Sequence, residues 1–320
     1  MCTIILFSIL FIIWLLLRLT ETRNNSKACL IGKTALVTGG NRGLGFQTSL
    51  GLAARGCRVI IACRSNAEKE RDELIRLTSN TNIVTKHLDL CSFKSIRSFA
   101  EDIKKSEEKI DILINNSGVG TISDELTEDG YQIINQVNYL GPFLLTHLLV
   151  DLLKKSKGRI IFLSSFSVWL QNLEVQTMGA KKADTSYLFV AHSYPNTKAA
   201  TVIMSNVFAE KLKPFGIVSN ALHPGCCYTD IFQAGDVAFG KLFMKVFYAI
   251  GRIYFKSAES GAQITLKLAM SKKYKDMTGQ FVWDFLASYP SPKILSDKKF
   301  SHEMWKETEK WVQLQEHERL

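Results

Sequence analysis

Tyr194 and Lys198 stand four positions apart in Tyr194-Pro195-Asn196-Thr197-Lys198. That spacing sets two side chains one above the other on a helix face. A phenol beside an ammonium can handle a proton. Free tyrosine ionises near ~10, and a nearby cation favours phenolate, so the pair can exchange a proton with a substrate oxygen near neutral pH. Ser165, at the end of an apolar run, can donate to that oxygen and stabilise its developing charge. Much earlier, Thr38-Gly39-Gly40-Asn41-Arg42-Gly43-Leu44-Gly45 has the composition of a phosphate cradle. Phosphate binding combined with proton exchange at an oxygen describes hydride transfer with a nicotinamide dinucleotide, Tyr194 handling the proton.

These residues need a scaffold that brings distant segments together. Residues 33–38 (KTALVT) are short, apolar and β-rich and read as a first parallel strand, with a helical stretch over 46–54 after the glycines. Gly39 permits the tight turn, Gly43 lets the backbone approach the pyrophosphate, and Gly45 lets the helix pack against the strand. The helix N-terminus then offers N–H groups and partial positive charge. A second strand, 58–62, runs into Cys63-Arg64. An NAD site would place a carboxylate there. Arg64 instead can pair with a 2′-phosphate, and Arg42 adds charge nearby, so the expected cofactor is NADP(H). Strand 84–88 leads to Asp89-Leu90, where the carboxylate can accept from an adenine amino group or cap the following helix. Strand 111–114 ends in Asn115-Asn116-Ser117-Gly118. A helical pattern runs through Asn138, Leu140, Leu144, Leu145 and Leu148. Strands at 159–164 and 217–222 follow, the latter leading to His223-Pro224-Gly225 and Thr229, and 279–284 reads as the last. His223 reads as part of the turn. The expected fold is α/β, a Rossmann-type doubly wound parallel sheet in a single domain over 33–320.

In motifs and their order the chain resembles the short-chain dehydrogenase/reductase superfamily, in its retinol dehydrogenase-like branch. The matching segments are TGGNRGLG, ACR, LDL, NNSG, the Asn138 helix, LSS, YPNTK and HPG, and the ACR ending, the HPG turn and 257–263 (SAESGAQ) resemble that branch in particular. The resemblance implies that Asn138, Ser165, Tyr194 and Lys198 are catalytic. Lys198 would hold the nicotinamide ribose hydroxyls, and Asn138 would hold a water linking Lys198 to solvent. It implies cofactor contacts from Gly39, Asn41, Arg42, Gly43, Leu44, Gly45, Arg64, Asp89, Leu90, Asn116, Gly118, Tyr194, Lys198, Pro224, Gly225 and Thr229. It also implies lipophilic alcohols and carbonyls as substrates, retinol and retinal-like compounds first. Steroid or fatty-aldehyde reduction, and a catalytically silent scaffold that binds NADP, are the alternatives. NNSG stands where NNAG is usual. Pro195 lacks an N–H, so it fits if Tyr194 opens its helix. The stretch 166–193 differs from the better-known relatives, which leaves the substrate open.

Residues 1–17 are almost wholly apolar and, as a helix, reach about 26 Å. Arg18, Arg23, Lys27 and Lys33 follow and no charge precedes, so residues 1–20 read as a membrane anchor, most consistent with the endoplasmic reticulum and a cytosolic catalytic domain, with 21–32 as linker. A cleaved signal peptide would show a basic start and a small-residue cleavage site. Seven cysteines without CxxC spacing point to reduced thiols, and no metal-ligand spacing occurs. The net charge of +10 comes without a nucleic-acid motif. Residues 237–256 instead form a basic amphipathic stretch, with Lys241, Lys245, Arg252 and Lys256 on one stripe among Phe239, Leu242, Phe243, Val246, Phe247, Ile250, Ile253 and Phe255. Two readings stand: a membrane-surface helix, or a substrate lid buried on the core. Residues 302–315 read as a surface helix. Oligomeric state stays open, a homodimer included.

Overall fold

The apolar runs join one sheet. The computed structural model describes residues 15, 21–120, 125–181, 187–227, 240–283 and 291–320. Its strands are β1 (Thr34–Thr38), β2 (Arg58–Cys63), β3 (Ile83–His87), β4 (Ile112–Asn115), β5 (Arg159–Leu163), β6 (Val218–His223) and β7 (Phe281–Trp283). Their order is β3-β2-β1-β4-β5-β6-β7, every pairing parallel. The helices are α1 (Gly43–Ala53), α2 (Glu68–Thr78), α3 (Phe93–Ser106), α4 (Gly141–Ser156), α5 (Tyr187–Leu212), α6 (Lys241–Tyr254), α7 (Ala258–Met270) and α8 (Lys298–Trp311).

Strand residues alternate between two apolar layers. Leu36, Ile60, Leu113, Ile160 and Phe162 pack beneath α3, α4, α5 and α8. Val37, Val59, Ile61, Ile114 and Ile161 pack beneath α1 and α7. Both faces are therefore covered, which is why these strands are continuously apolar. The order reverses between β1 and β4, and a doubly wound sheet opens its ligand crevice at the carboxyl ends of the strands there.

Three expectations change. First, α5 begins at Tyr187, so Pro195 lies inside it and Tyr194 does not open the helix. One missing N–H removes a single helical bond, which the flanking packed turns tolerate. Second, the C-terminal helix is docked: Met304, Trp305 and Thr308 are buried, and Thr308 hydrogen-bonds the Tyr139 hydroxyl at 2.8 Å. Its charges line one face while the other closes the core. Third, Lys256 is not on the basic stripe of α6. It follows the helix end and is buried, its N–H donating to Cys226 O at 2.8 Å. Residues 1–20 apart from Leu15, residues 237–239, Thr229 and Asp284 lie outside the described residues. Among the described residues no helix is long and apolar enough to cross a membrane.

Candidate active site

The glycine turn is built as a cradle. Gly39 and Gly43 adopt φ of +63° and +53°, values open to glycine and strained for other residues. A Cβ on Gly45 would sit 2.0 Å from Gly39 O, so only glycine lets α1 approach the end of β1 this closely. The N-cap of α1, Arg42, makes no side-chain cap bond, and no acid lies in the first turn. Its leading N–H groups and dipole are thus available to an anion. Thr38 braces the turn: its Oγ1 accepts from the N–H groups of Asn116 at 3.0 Å and Ser117 at 2.9 Å. Asn116 returns its Nδ2 to Thr38 O at 2.8 Å. The motif includes Thr38 without giving it a role, although a hydroxyl closing the strand before the glycines is a visible signal.

A cleft of about 530 Å³ extends from this turn over the carboxyl ends of the strands. Gly39, Asn41, Arg42, Gly43, Leu44 and Gly45 line it, with Arg64, Asp89, Leu90, Asn116 and Gly118. Ser165, Tyr194, Lys198, Pro224 and Gly225 line the same cleft. Arg64 is exposed at the close of β2, beside Ser65, whose Oγ accepts from Asn41 Nδ2 at 3.3 Å. Asp89 does not cap α3. Its Oδ1 accepts the Cys91 N–H at 2.9 Å, and Ser92 caps the helix through Ser95 N–H at 3.2 Å.

Ser165 caps the short helical turn Phe166–Leu170, its Oγ accepting from Ser167 N–H at 3.1 Å. Its own proton is therefore free to be donated, and it hydrogen-bonds the Tyr194 hydroxyl. Lys198 Nζ lies 5.4 Å from the Tyr194 ring centroid and donates to Leu163 O at 2.9 Å. Asn138 lies outside the cleft lining, in a π-helical turn, Gln136–Leu140, that widens the start of α4. Its Oδ1 accepts Val119 N–H at 2.8 Å, and its Nδ2 donates to Val119 O at 2.9 Å and Thr197 Oγ1 at 3.1 Å. Thr197 Oγ1 in turn donates to Tyr194 O at 2.8 Å. Asn138 thus ties the β4 loop to the helix that carries Tyr194 and Lys198.

The electrostatics revise one expectation. Loss of water around Tyr194 pushes its phenol above the ordinary tyrosine range, and the Ser165 hydrogen bond only partly opposes this. Burial drops Lys198 to about 8. His223, read from sequence as a turn residue, is buried in the cleft wall between Phe166 and Trp283 with no hydrogen bond to Nδ1. Burial first, then the Lys256 charge, lower it to about 4, so the imidazole is neutral. No spacing rule singles it out.

The short chain dehydrogenase family model matches residues 33–236, and the chain belongs to that family. Within it, mouse retinol dehydrogenase 13 is 36% identical over 297 residues, covering 90% of this chain and 86% of its own. The human protein of that name is also 36% identical, over 91% and 87%. Mouse retinol dehydrogenase 11 is 32% identical, over 88% of each chain. These relatives put the chain on the retinol dehydrogenase-like branch, as an oxidoreductase acting on CH–OH groups with a nicotinamide cofactor. The fold is also that of a short-chain type dehydrogenase/reductase from Mycobacterium marinum, at TM-score 0.62 and 22% identity over 79% of this chain and 94% of that one. The Pseudomonas aeruginosa RhlG/NADP active-site complex matches at 0.59 and 24%, over 79% and 95%.

Proposed function

We propose that this chain is a membrane-anchored, NADP-dependent oxidoreductase that interconverts lipophilic alcohols with aldehydes or ketones, retinol and retinal-like compounds foremost. One observation carries the reading: Tyr194, Ser165 and Lys198 line the same cleft as the glycine cradle. The cradle fits a dinucleotide because Gly39 and Gly43 hold the positive φ of the turn and the first N–H groups of α1 carry neither a side-chain cap nor a first-turn acid. Gly39, Asn41, Arg42, Gly43, Leu44 and Gly45 would hold the pyrophosphate, and Arg64 the 2′-phosphate. Asp89, Leu90, Asn116, Gly118, Pro224 and Gly225 would flank the rest, with Thr229 proposed alongside them. Once bound, the nicotinamide supplies or accepts the hydride.

The chain's own residues handle the proton. The neutral Tyr194 phenol holds it at Oη, ready for a carbonyl oxygen in reduction. Ser165 Oγ–H donates to the same oxygen as charge builds. Lys198 holds the ribose hydroxyls and, at about 8, releases a proton more readily than an ordinary lysine. Asn138 keeps the carrying helix in register. Raising pH above about 8 removes the Lys198 charge, so reductive kcat/KM is expected to fall there. A profile flat well beyond that value would take Lys198 out of the mechanism.

Arg64→Ala tests cofactor choice. A charge-assisted contact to phosphate contributes about 1.5–3 kcal/mol, so NADPH binding should weaken by tenfold or more with NADH little changed. Titrations giving equal losses for both cofactors would separate Arg64 from the 2′-phosphate.

The apolar run 1–17 and the basic residues after it support anchoring in the endoplasmic reticulum with the catalytic domain in the cytosol. Full-length protein should resist alkaline carbonate extraction, and protease added to intact microsomes should digest the domain. Asn24 is the sequon that reports sidedness, because Asn115 is buried with its Nδ2 donating to Thr146 Oγ1 at 3.2 Å. A protected domain with a glycan on Asn24 would reverse the orientation.

A further inference from the structure

Helix α6 shows four large apolar side chains to solvent. Leu242, Val246, Ile250 and Ile253 are 78%, 52%, 51% and 56% exposed. At ~100° per residue they fall within one quadrant of the helix, and buried Gly251 lies on the opposite side. This is the reverse of a lid folded onto a core. Isolated exposed apolar residues are ordinary, but an aligned stripe of four marks an interaction surface.

The chemistry beside the stripe identifies the partner. Lys245 and Arg252 are exposed along one edge of it, and Lys241 occupies the same edge by position. Between Asp236 and Glu259 the chain has no acidic residue. An apolar strip with a purely basic margin matches acyl chains beneath anionic headgroups. Asn24 lies close by. Asn24 N–H donates to Gln263 Oε1 at 3.2 Å, on α7, which begins four residues after α6 ends. The apolar run ending at residue 17 is thereby tethered within about 25 Å of Asn24. The cleft opens toward the same region: Cys226 lines it and accepts the N–H of Lys256, two residues past α6. Exposed Phe166, also in the lining, adds a second apolar contact at the mouth.

We infer that α6 docks on an anionic lipid bilayer through Leu242, Val246, Ile250 and Ile253, setting the mouth of the catalytic cleft against the membrane. The inference rests on the membrane-bound reading above. A hydrophobic substrate then passes from lipid to Tyr194 without crossing water, and the anchor supplies high local concentration for a weak docking contact.

The test uses full-length protein in nanodiscs of phosphatidylcholine, with and without phosphatidylserine, and in detergent. Hydrogen exchange across 241–254 is the readout, and flotation reports anchoring separately. Exchange is expected to slow by about tenfold or more in phosphatidylserine discs and less in phosphatidylcholine alone. Each aliphatic side chain leaving water is worth roughly tenfold, so Leu242→Ser with Ile250→Ser should abolish the protection. Lys245→Glu with Arg252→Glu should remove only the phosphatidylserine increment. Retained turnover of a water-soluble short-chain carbonyl shows that the variants are folded. Anchored protein with equal exchange in discs and detergent would overturn the inference. So would protection that depends on protein concentration, which would assign the stripe to a second copy. Failure of flotation would instead overturn the anchor.

Discussion

Tyr194→Phe is expected to lower turnover at least ~100-fold, the scale of a lost general acid, while cofactor binding persists. The substitution removes one oxygen and almost no volume, so the surrounding packing of α5 stays. Two features make the loss specific. Ser165 presents its proton toward the phenol because its own Oγ accepts from Ser167 N–H at 3.1 Å. Loss of water around the phenol also raises its pKa, which favours the protonated form that gives a proton away in reduction. Single-turnover rates and NADPH titrations on the same sample would check both halves. Near-normal turnover would exclude Tyr194 as the proton donor.

Trp305→Ala should destabilise the domain by about 3–5 kcal/mol, the range for removing a large buried aromatic side chain. Trp305 is 5% exposed and packs edge-on against Phe143 at 4.7 Å and Phe208 at 4.8 Å. Those rings belong to α4 and α5, so the C-terminal helix closes the layer beneath the catalytic helix. Its indole N–H also donates to Glu309 at 2.7 Å, within α8. The expected fall in Tm is on the order of 10 °C. Denaturant midpoints and calorimetry would measure it, and a loss below about 1 kcal/mol would mean that α8 contributes little to the core.

The two tests separate what each part of the molecule does. The first removes chemistry and leaves the fold, and the second loosens the fold beneath intact chemistry. A Trp305→Ala enzyme should therefore keep its turnover at low temperature and lose it on mild heating. Substrate oxygen chemistry depends on a few atoms at the cleft, whereas the position of those atoms depends on apolar contacts made far along the chain.

The sequence alone determined the strand set, the α/β class, the glycine cradle and the pairing of Tyr194 with Lys198. These depend on local regularities: continuous apolar strands, helical spacing, and glycine where a side chain would clash. Gly45 illustrates the limit case, since a Cβ there would lie 2.0 Å from Gly39 O, and the glycine that avoids this clash leaves its mark in the sequence. Tertiary structure decided the matters that depend on which surface stays wet. Spacing places a cation beside Tyr194 and predicts a lowered phenol pKa, but burial raises it. Pro195 reads as a helix start, yet α5 begins at Tyr187. Asn138 reads as one residue of a regular helix and lies in a π-helical turn that points its amide at Val119. Periodicity gave α6 and α8 an apolar side each and could not say which way it faced. Packing turned Trp305 inward and Leu242 outward, because a helix face is buried only where the rest of the chain leaves a complementary surface to receive it.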